Sequence, residues 1–368
     1  MNRACLLVLV AASACCGPRP GGGSRPGDTM QLGRIDGGWF PLVPEGGVYT
    51  AAQGDRLRVF LRKMNGAVHE VSLGPDGRAI GTPAPLPLRS VNAAVACGGD
   101  VVVAGDAEGK PVVWTAGAGP AVAPWSAQRF GVTLVCVRGQ VEAIWRDRAA
   151  PTTVWWSRVS SGGVVPAITT ADFAALDVAG DDGGVVLAVR DRGRTELVRL
   201  VDGVHVARAQ LPDAGPTGVG VVATPAGIVV TWLGDDGRGV WWRWFTADLR
   251  PVGGPERIAA AGDGRADAAR IVAAGGRAAL IYDRVERVGE TEDSPDGTFQ
   301  PIERRQPVVA LVDLADRAVA PAAAPALAAP LVAAAWLNDR LVLIHGGSDA
   351  PRGAVTAPRV SVITAPGP

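Results

Sequence analysis

Lysine is almost missing from this chain: two of its 36 basic residues are Lys, and Arg carries the rest of a positive charge that 36 acidic residues cancel. With zero net charge there is no electrostatic basis for gripping nucleic acid, so none is expected as a partner. Histidine is scarce as well. His69, His205 and His345 are scattered, with no His-x-His spacing and no metal-type cysteine pair beside them, so neither a metal nor another cofactor is expected. Ser157, Ser160 and Ser161 lack the elbow motif that exposes a nucleophilic serine. Helical periodicity is missing too, while Gly and Pro, at 49 and 29 residues, are abundant.

The N-terminus has one cation, Arg3, and an apolar run from about Cys5 to Ala14. That is about half of the roughly 20 residues needed to span a bilayer, and it reads as a signal-peptide core. The following "Ala12-Ser13-Ala14-Cys15" resembles a bacterial lipoprotein signal, although Ala12 stands where Leu is usual. The resemblance implies a lipid on Cys15 and an exported protein anchored in the bacterial cell envelope, at the outer membrane. Cys16 is a poorer acceptor, because Cys15 would then occupy the small-residue position before it. The alternative is an ordinary secretory signal and a soluble product. Residues 1–14 are read as the signal, 15–28 as a Gly-, Pro- and Ser-rich tether, and 29–368 as one domain. In that domain only Cys97 and Cys136 remain; they could pair in an oxidising compartment, or sit as two buried thiols.

From about residue 46 the chain repeats one grammar of four short strands. The second strands are the anchors: "RLRVFLR", "DVVVAGD", "QVEAIWRD", "GVVLAVRD", "GIVVTWLGD", "RAALIYD" and "RLVLIHG". Asp closes five of them, at 106, 147, 191, 235 and 283, so the period is 41 to 48 residues. Four strands at this period make a propeller blade, and seven anchors predict an all-β, seven-bladed β-propeller. The strands before them, such as "VNAAVAC" and "GVGVVAT", are rich in small residues and suit the crowded axis. Only three residues follow "RVSVITA" at the C-terminus, so the segment "TMQLGRID", residues 29–36, is expected to add the outer strand that closes the last blade.

The repeats resemble the degenerate propellers of bacterial secreted proteins and lipoproteins, in which an apolar strand ending in an aromatic residue and Asp precedes a third strand and a "DG.P.G"-type turn. WD, kelch and sialidase signatures are missing, and one fold carries many chemistries. The tryptophan-rich "GVWWRWF" falls on the third strand of the fifth unit. Strand alternation sends Trp242 and Trp244 to one side and Trp241 and Phe245 to the other, which suits packing between blades and not an exposed ligand platform.

The second-to-third-strand turns of a propeller gather on one face. Asp106, Asp147, Asp191, Asp235, Asp236 and Asp283, with Arg146, Arg190 and Arg284, are therefore the candidate ligand face. The structural alternative is that each Asp caps its own loop through backbone amides. Residues 284–306 interrupt the period as a charged insertion, read as a lid or a partner-binding hairpin. Together these features suggest a non-catalytic binding or scaffold propeller for a protein or glycan ligand. The rivals are a carbohydrate- or lactone-active hydrolase or lyase using carboxylates at the channel mouth, and a structural part of an envelope assembly. Cys15→Ala is expected to move the protein from the membrane to the soluble fraction and to abolish N-terminal acylation in mass spectra; unchanged fractionation without a lipid contradicts the anchor.

Overall fold

The computed structural model describes residues 30–31, 33–42, 44–63, 65–170, 177–212, 218–234, 237, 239–260, 265–274, 276–291, 300–314, 318–323, 331–346 and 358–364. The lipidation candidate Cys15 and the tether lie outside them. Among the described residues there is no helix. The strands form seven successive sheets, a seven-bladed β-propeller.

Blade 1 uses Pro44–Gln53, Arg56–Lys63, Val68–Leu73 and Ala84–Pro85, and blade 2 uses Ser90–Cys97, Asp100–Ala107, Lys110–Thr115 and Gly119–Val122. Blade 3 is Arg129–Val137, Gln140–Asp147, Ala150–Arg158 and Val164–Thr169; blade 4 is Asp177–Asp181, Gly184–Asp191, Arg194–Val201 and Val204–Gln210. Blade 5 comprises Gly220–Thr224, Gly227–Leu233, Gly239–Phe245 and Pro251–Ala260. Blade 6 begins with Arg265–Ala274, Arg277–Thr291, Gln300–Asp313 and Ala318–Ala323, and blade 7 with Leu331–Leu337, Arg340–His345 and Arg359–Thr364.

Blade 7 obtains its outer strand from the N-terminus. Gly33–Trp39 pairs antiparallel with Arg359–Thr364, from Gly33 opposite Thr364 to Trp39 opposite Arg359. The segment does more than the sequence suggests, because Met30–Gln31 also pairs in parallel with Ala318–Ala323 of blade 6. The chain start is thereby stitched across the junction of the last two blades.

The core is divided by the same geometry. Successive side chains of a strand point to opposite sheet faces, and each blade has a neighbour on both, so both faces are apolar. Seven buried clusters result, one per junction. Phe60 and Trp114 meet between blades 1 and 2, Trp125 and Trp145 between 2 and 3, and Leu61 and Val362 between 1 and 7. In blade 5, Trp242 and Trp244 pack toward blade 6, while Phe245, with Trp241 beside it, packs toward blade 4. The aromatic run is interblade packing. Near the axis the inner strands approach so closely that a Cβ on Gly220 would stand 2.9 Å from the Ile271 nitrogen of the next blade, and one on Gly180 2.8 Å from the Cys136 oxygen.

Two details correct the sequence reading. The second strand of blade 6 does not end at Asp283, and residues 284–306 are not mainly loop. The ladder continues from Asp283 opposite Pro307 to Thr291 opposite Gln300, a long hairpin whose tip, 292–299, lies outside the described residues. Its charges suggested a loop, but they pair with the inner strand of the blade: Arg305 meets Asp267 at 3.1 Å, Glu303 meets Arg265 at 2.7 Å, and Val285, in register with both Arg265 and Arg305, is buried at 3% exposure. Trp242→Ala should cost about 3–5 kcal/mol by cavity formation, and Trp241→Ala less, because Trp241 is only partly buried; urea unfolding of the two variants measures the difference.

Candidate functional site

The propeller has two mouths. We call upper the face where inner strands begin and second strands turn into third strands, and lower the face of the inner-to-second turns. Of the predicted aspartates, Asp106, Asp147, Asp191 and Asp283 are described and belong to the upper face, and Asp106 ties blade 2 to blade 3. Asp106 accepts from Ser90 Oγ at 2.5 Å and from Arg129 of blade 3 at 3.0 and 3.1 Å, with Asn92 at 3.4 Å. Burial works to raise its pKa, but the Ser90 hydrogen bond and the Arg129 charge overcome it, and the carboxyl sits below its usual value. Asp147 accepts from Ser126 Oγ at 2.6 Å, at the entrance to its own blade. Asp191 lies 4.0 Å from Arg208 of its outer strand.

Asp283 is buried at 7% exposure; burial raises its pKa, Arg270 and Arg305 oppose this, and Asp267 adds to it. Asp235 and Asp236 lie outside the described residues. Among the arginines, Arg146 is 3% exposed and burial lowers its pKa, Arg190 has a buried Nη1 with no hydrogen-bond partner, and Arg284 pairs with Glu286 at 2.9 Å and Gln306 at 3.1 Å. The expected loop caps through backbone amides are thus replaced at Asp106 and Asp147 by side-chain donors from neighbouring strands and connections. Asp106, Asp147 and Arg284 each bond to a local partner on this face.

A cavity lies on the lower face, which the sequence reading did not single out. A cavity of about 730 Å³ opens between the inner turns of blades 3, 4 and 5, lined by Arg138, Asp181, Asp182, Arg199, Thr224 and a set of Gly, Ala and Pro residues. Its size falls in the range of small-ligand pockets, roughly 300–1,000 Å³. Arg199 forms part of its wall at 4% exposure and donates to Asp181 at 2.5 Å, while Asp181 also accepts the Gly183 amide at 2.7 Å. A second cavity of about 170 Å³ adjoins it at Arg138, between blades 3 and 4. There Glu142 is 2% exposed and accepts from Trp156 Nε1 at 2.7 Å. Burial raises the Glu142 pKa against that bond and the nearby Arg158 charge.

The rim is braced. The Cys97 and Cys136 sulfurs are bonded, joining the lower ends of the inner strands of blades 2 and 3 with their Cα atoms 5.3 Å apart. Cys136 also lines the larger cavity. Such a cross-link stabilises a fold by restricting the unfolded chain, typically by about 2–4 kcal/mol.

One acidic group was passed over in the sequence. Asp177 stands on the inner strand of blade 4, and its Oδ2 accepts the backbone N–H of Val221 on the inner strand of blade 5 at 2.5 Å. Protein encloses the carboxyl, although some side-chain surface stays accessible. Burial pushes its pKa up to about 6, against the pull of the Val221 and Val178 amides. An acidic residue inside "FAALDVA", among small apolar neighbours, was the available sign. Among the described residues no three His, Cys, Asp or Glu side chains are grouped to hold a metal ion.

No protein-family model matches the sequence, and no curated protein matches it significantly. Solved structures share the architecture. An oligogalacturonate lyase from Vibrio parahaemolyticus is 8% identical, with 92% of this chain and 98% of that one covered and a TM-score of 0.55. For an inactive virginiamycin B lyase from Staphylococcus aureus with quinupristin, the identity is 10%, the coverage 91% and 100%, and the TM-score 0.54. A puromycin hydrolase is 15% identical, with 90% and 55% covered, at a TM-score of 0.50. These likenesses establish the fold.

Folding raises the Asp177 pKa from 3.8 to about 6, so the native state holds more protons than the unfolded chain between those values. Stability therefore falls as pH rises through that window and is level above it. Asp177→Asn, which keeps an acceptor for Val221, should remove this slope and stabilise the protein at pH 7 by up to about 3 kcal/mol; denaturant midpoints from pH 4 to pH 8 measure it.

Proposed function

We infer that the protein is a lipid-anchored binding propeller of the bacterial cell envelope, held at the outer membrane through Cys15 and presenting a ligand seat on its lower face. The ligand is a protein or glycan, held and not transformed. The observation that carries this reading is the cavity of about 730 Å³ between blades 3, 4 and 5. Its wall joins a buried guanidinium, two carboxylates and small residues, which makes a binding surface. The upper-face aspartates 106 and 147 serve blade-to-blade and strand-to-connection bonds, so the seat is assigned to the opposite mouth.

A second reading has its own observation. Asp177, with a pKa near 6, could donate or accept a proton at neutral pH. Structural neighbours named as a lyase of oligogalacturonate, a lyase of virginiamycin B and a hydrolase of puromycin support keeping a carbohydrate- or lactone-active enzyme as the alternative. Screening the purified full chain on glycan and protein arrays, with mass spectrometry of each bound compound, separates the two. The binding reading expects saturable capture and recovery of the ligand unchanged. Turnover that disappears in Asp177→Asn would instead select the enzyme.

A further inference from the structure

Arg158 and Arg199 occupy equivalent places in consecutive blades. Each lies on a third strand opposite the third residue of the second strand, Glu142 in blade 3 and Val186 in blade 4. Blade 5 has Trp244 at the same place, opposite Val229. The two guanidiniums therefore mark the lower-face junctions on either side of blade 4, where the two cavities lie. Both are charge-balanced: Arg199 by Asp181 at 2.5 Å, Arg158 by Asp202 at 2.6 Å and by Glu142 at 3.8 Å. Both also keep a buried nitrogen with no hydrogen-bond partner, Nη1 of Arg199 and Nε of Arg158. A buried donor without an acceptor is a standing cost to the fold. A cavity of about 730 Å³ far exceeds what one structural water needs, a share of about 30 Å³.

The charges of the larger cavity cancel, Arg138 and Arg199 against Asp181 and Asp182. A ligand there is recognised through an acceptor for the buried donor of Arg199, with Arg158 supplying the second in the adjoining cavity, and net charge contributes little. The walls are otherwise mostly glycine, alanine, proline and threonine, which let a polypeptide backbone come close. No aromatic side chain lines either cavity, so the flat surface on which a sugar ring stacks is missing. Backbone carbonyls of an extended peptide recur along the chain and match donors repeated from blade to blade.

We propose that the two adjoining cavities form one groove for an extended, uncharged peptide segment of a partner protein, with Arg199 Nη1 and Arg158 Nε donating to its backbone carbonyls. This rests on the lower-face seat inferred above. The turn from Asp181 to Gly184 packs tightly on Arg199, a Cβ on Gly183 standing 2.0 Å from Nη2, and holds the guanidinium beside the cavity.

The test screens the full chain against short peptides of uncharged residues, blocked by N-acetyl and C-amide groups, with cellotetraose and tetragalacturonate as oligosaccharide probes. The affinity of the best peptide is expected to change less than about twofold between about 50 and about 500 mM NaCl, because no charged contact is screened. Arg199→Met should weaken it about tenfold or more, the loss of one charge-assisted hydrogen bond. Ala226→Trp, which fills the larger cavity from an exposed turn and leaves the core untouched, should abolish it. Peptide binding that survives both variants, or that collapses with salt, overturns the proposal. Binding of an oligosaccharide in place of peptide, blocked by Ala226→Trp, removes the peptide assignment and leaves the seat standing. If neither class binds in an Ala226→Trp-sensitive way, both fall.

Discussion

Every blade of this protein is a sheet with two apolar faces, and the rest of the structure depends on covering both. A sheet with one wet face would leave Trp242 and Trp244, or else Trp232 and Phe245, in water, since these pairs lie on opposite sides of one blade. A closed ring supplies each blade with two neighbours, and the buried residues accordingly separate into seven clusters, one at each junction. Closure falls to Gly33–Trp39, which completes blade 7, and to Met30–Gln31, which reaches on to blade 6. Without that strand, Arg359–Thr364 becomes an open edge of a kind that folded proteins cover or block.

Closure also gives the two mouths different work. On the upper face, Asp106 and Arg129 tie blade 2 to blade 3 across a junction whose apolar part is already filled by Trp125 and Trp145. Polar groups there are spent on one another. On the lower face the inner turns are glycine-rich, so little side-chain volume fills the mouth between blades 3, 4 and 5. Arg199 lines that space and Arg158 the cavity beside it, each with a carboxylate partner and a buried nitrogen that has no hydrogen-bond partner. The same repeat that bonds one face to itself leaves a cavity of about 730 Å³ on the other.

The fold was legible because its cause is periodic. Alternation in "GVWWRWF" placed Trp241, Trp242, Trp244 and Phe245 on the sides where they are found, and the seven second-strand anchors set the blade count. The closing strand could be read from a last unit that lacked one. Asp283 misled because charge was taken for loop, whereas Arg305 and Glu303 find opposite charges at Asp267 and Arg265 on the inner strand. Asp177 and Arg199 were missed for a different reason. Nothing in "FAALDVA" or "TELVRLV" says that these chains face the next blade, and the cavity is made by what glycine, alanine and proline leave out. Such a site arises from three-dimensional proximity of turns some 40 residues apart, as the link from Arg138 to the Asp182 carbonyl at 2.7 Å illustrates.

Ring closure by the N-terminal segment is the claim on which the seven junctions and both mouths rest. Its most direct measurement compares the chain with one beginning at residue 40, by urea unfolding together with sedimentation of the native state. The account predicts a lower unfolding midpoint and self-association through the bared edge of Arg359–Thr364 in the shortened chain. An unchanged midpoint and an unchanged sedimentation coefficient would contradict it.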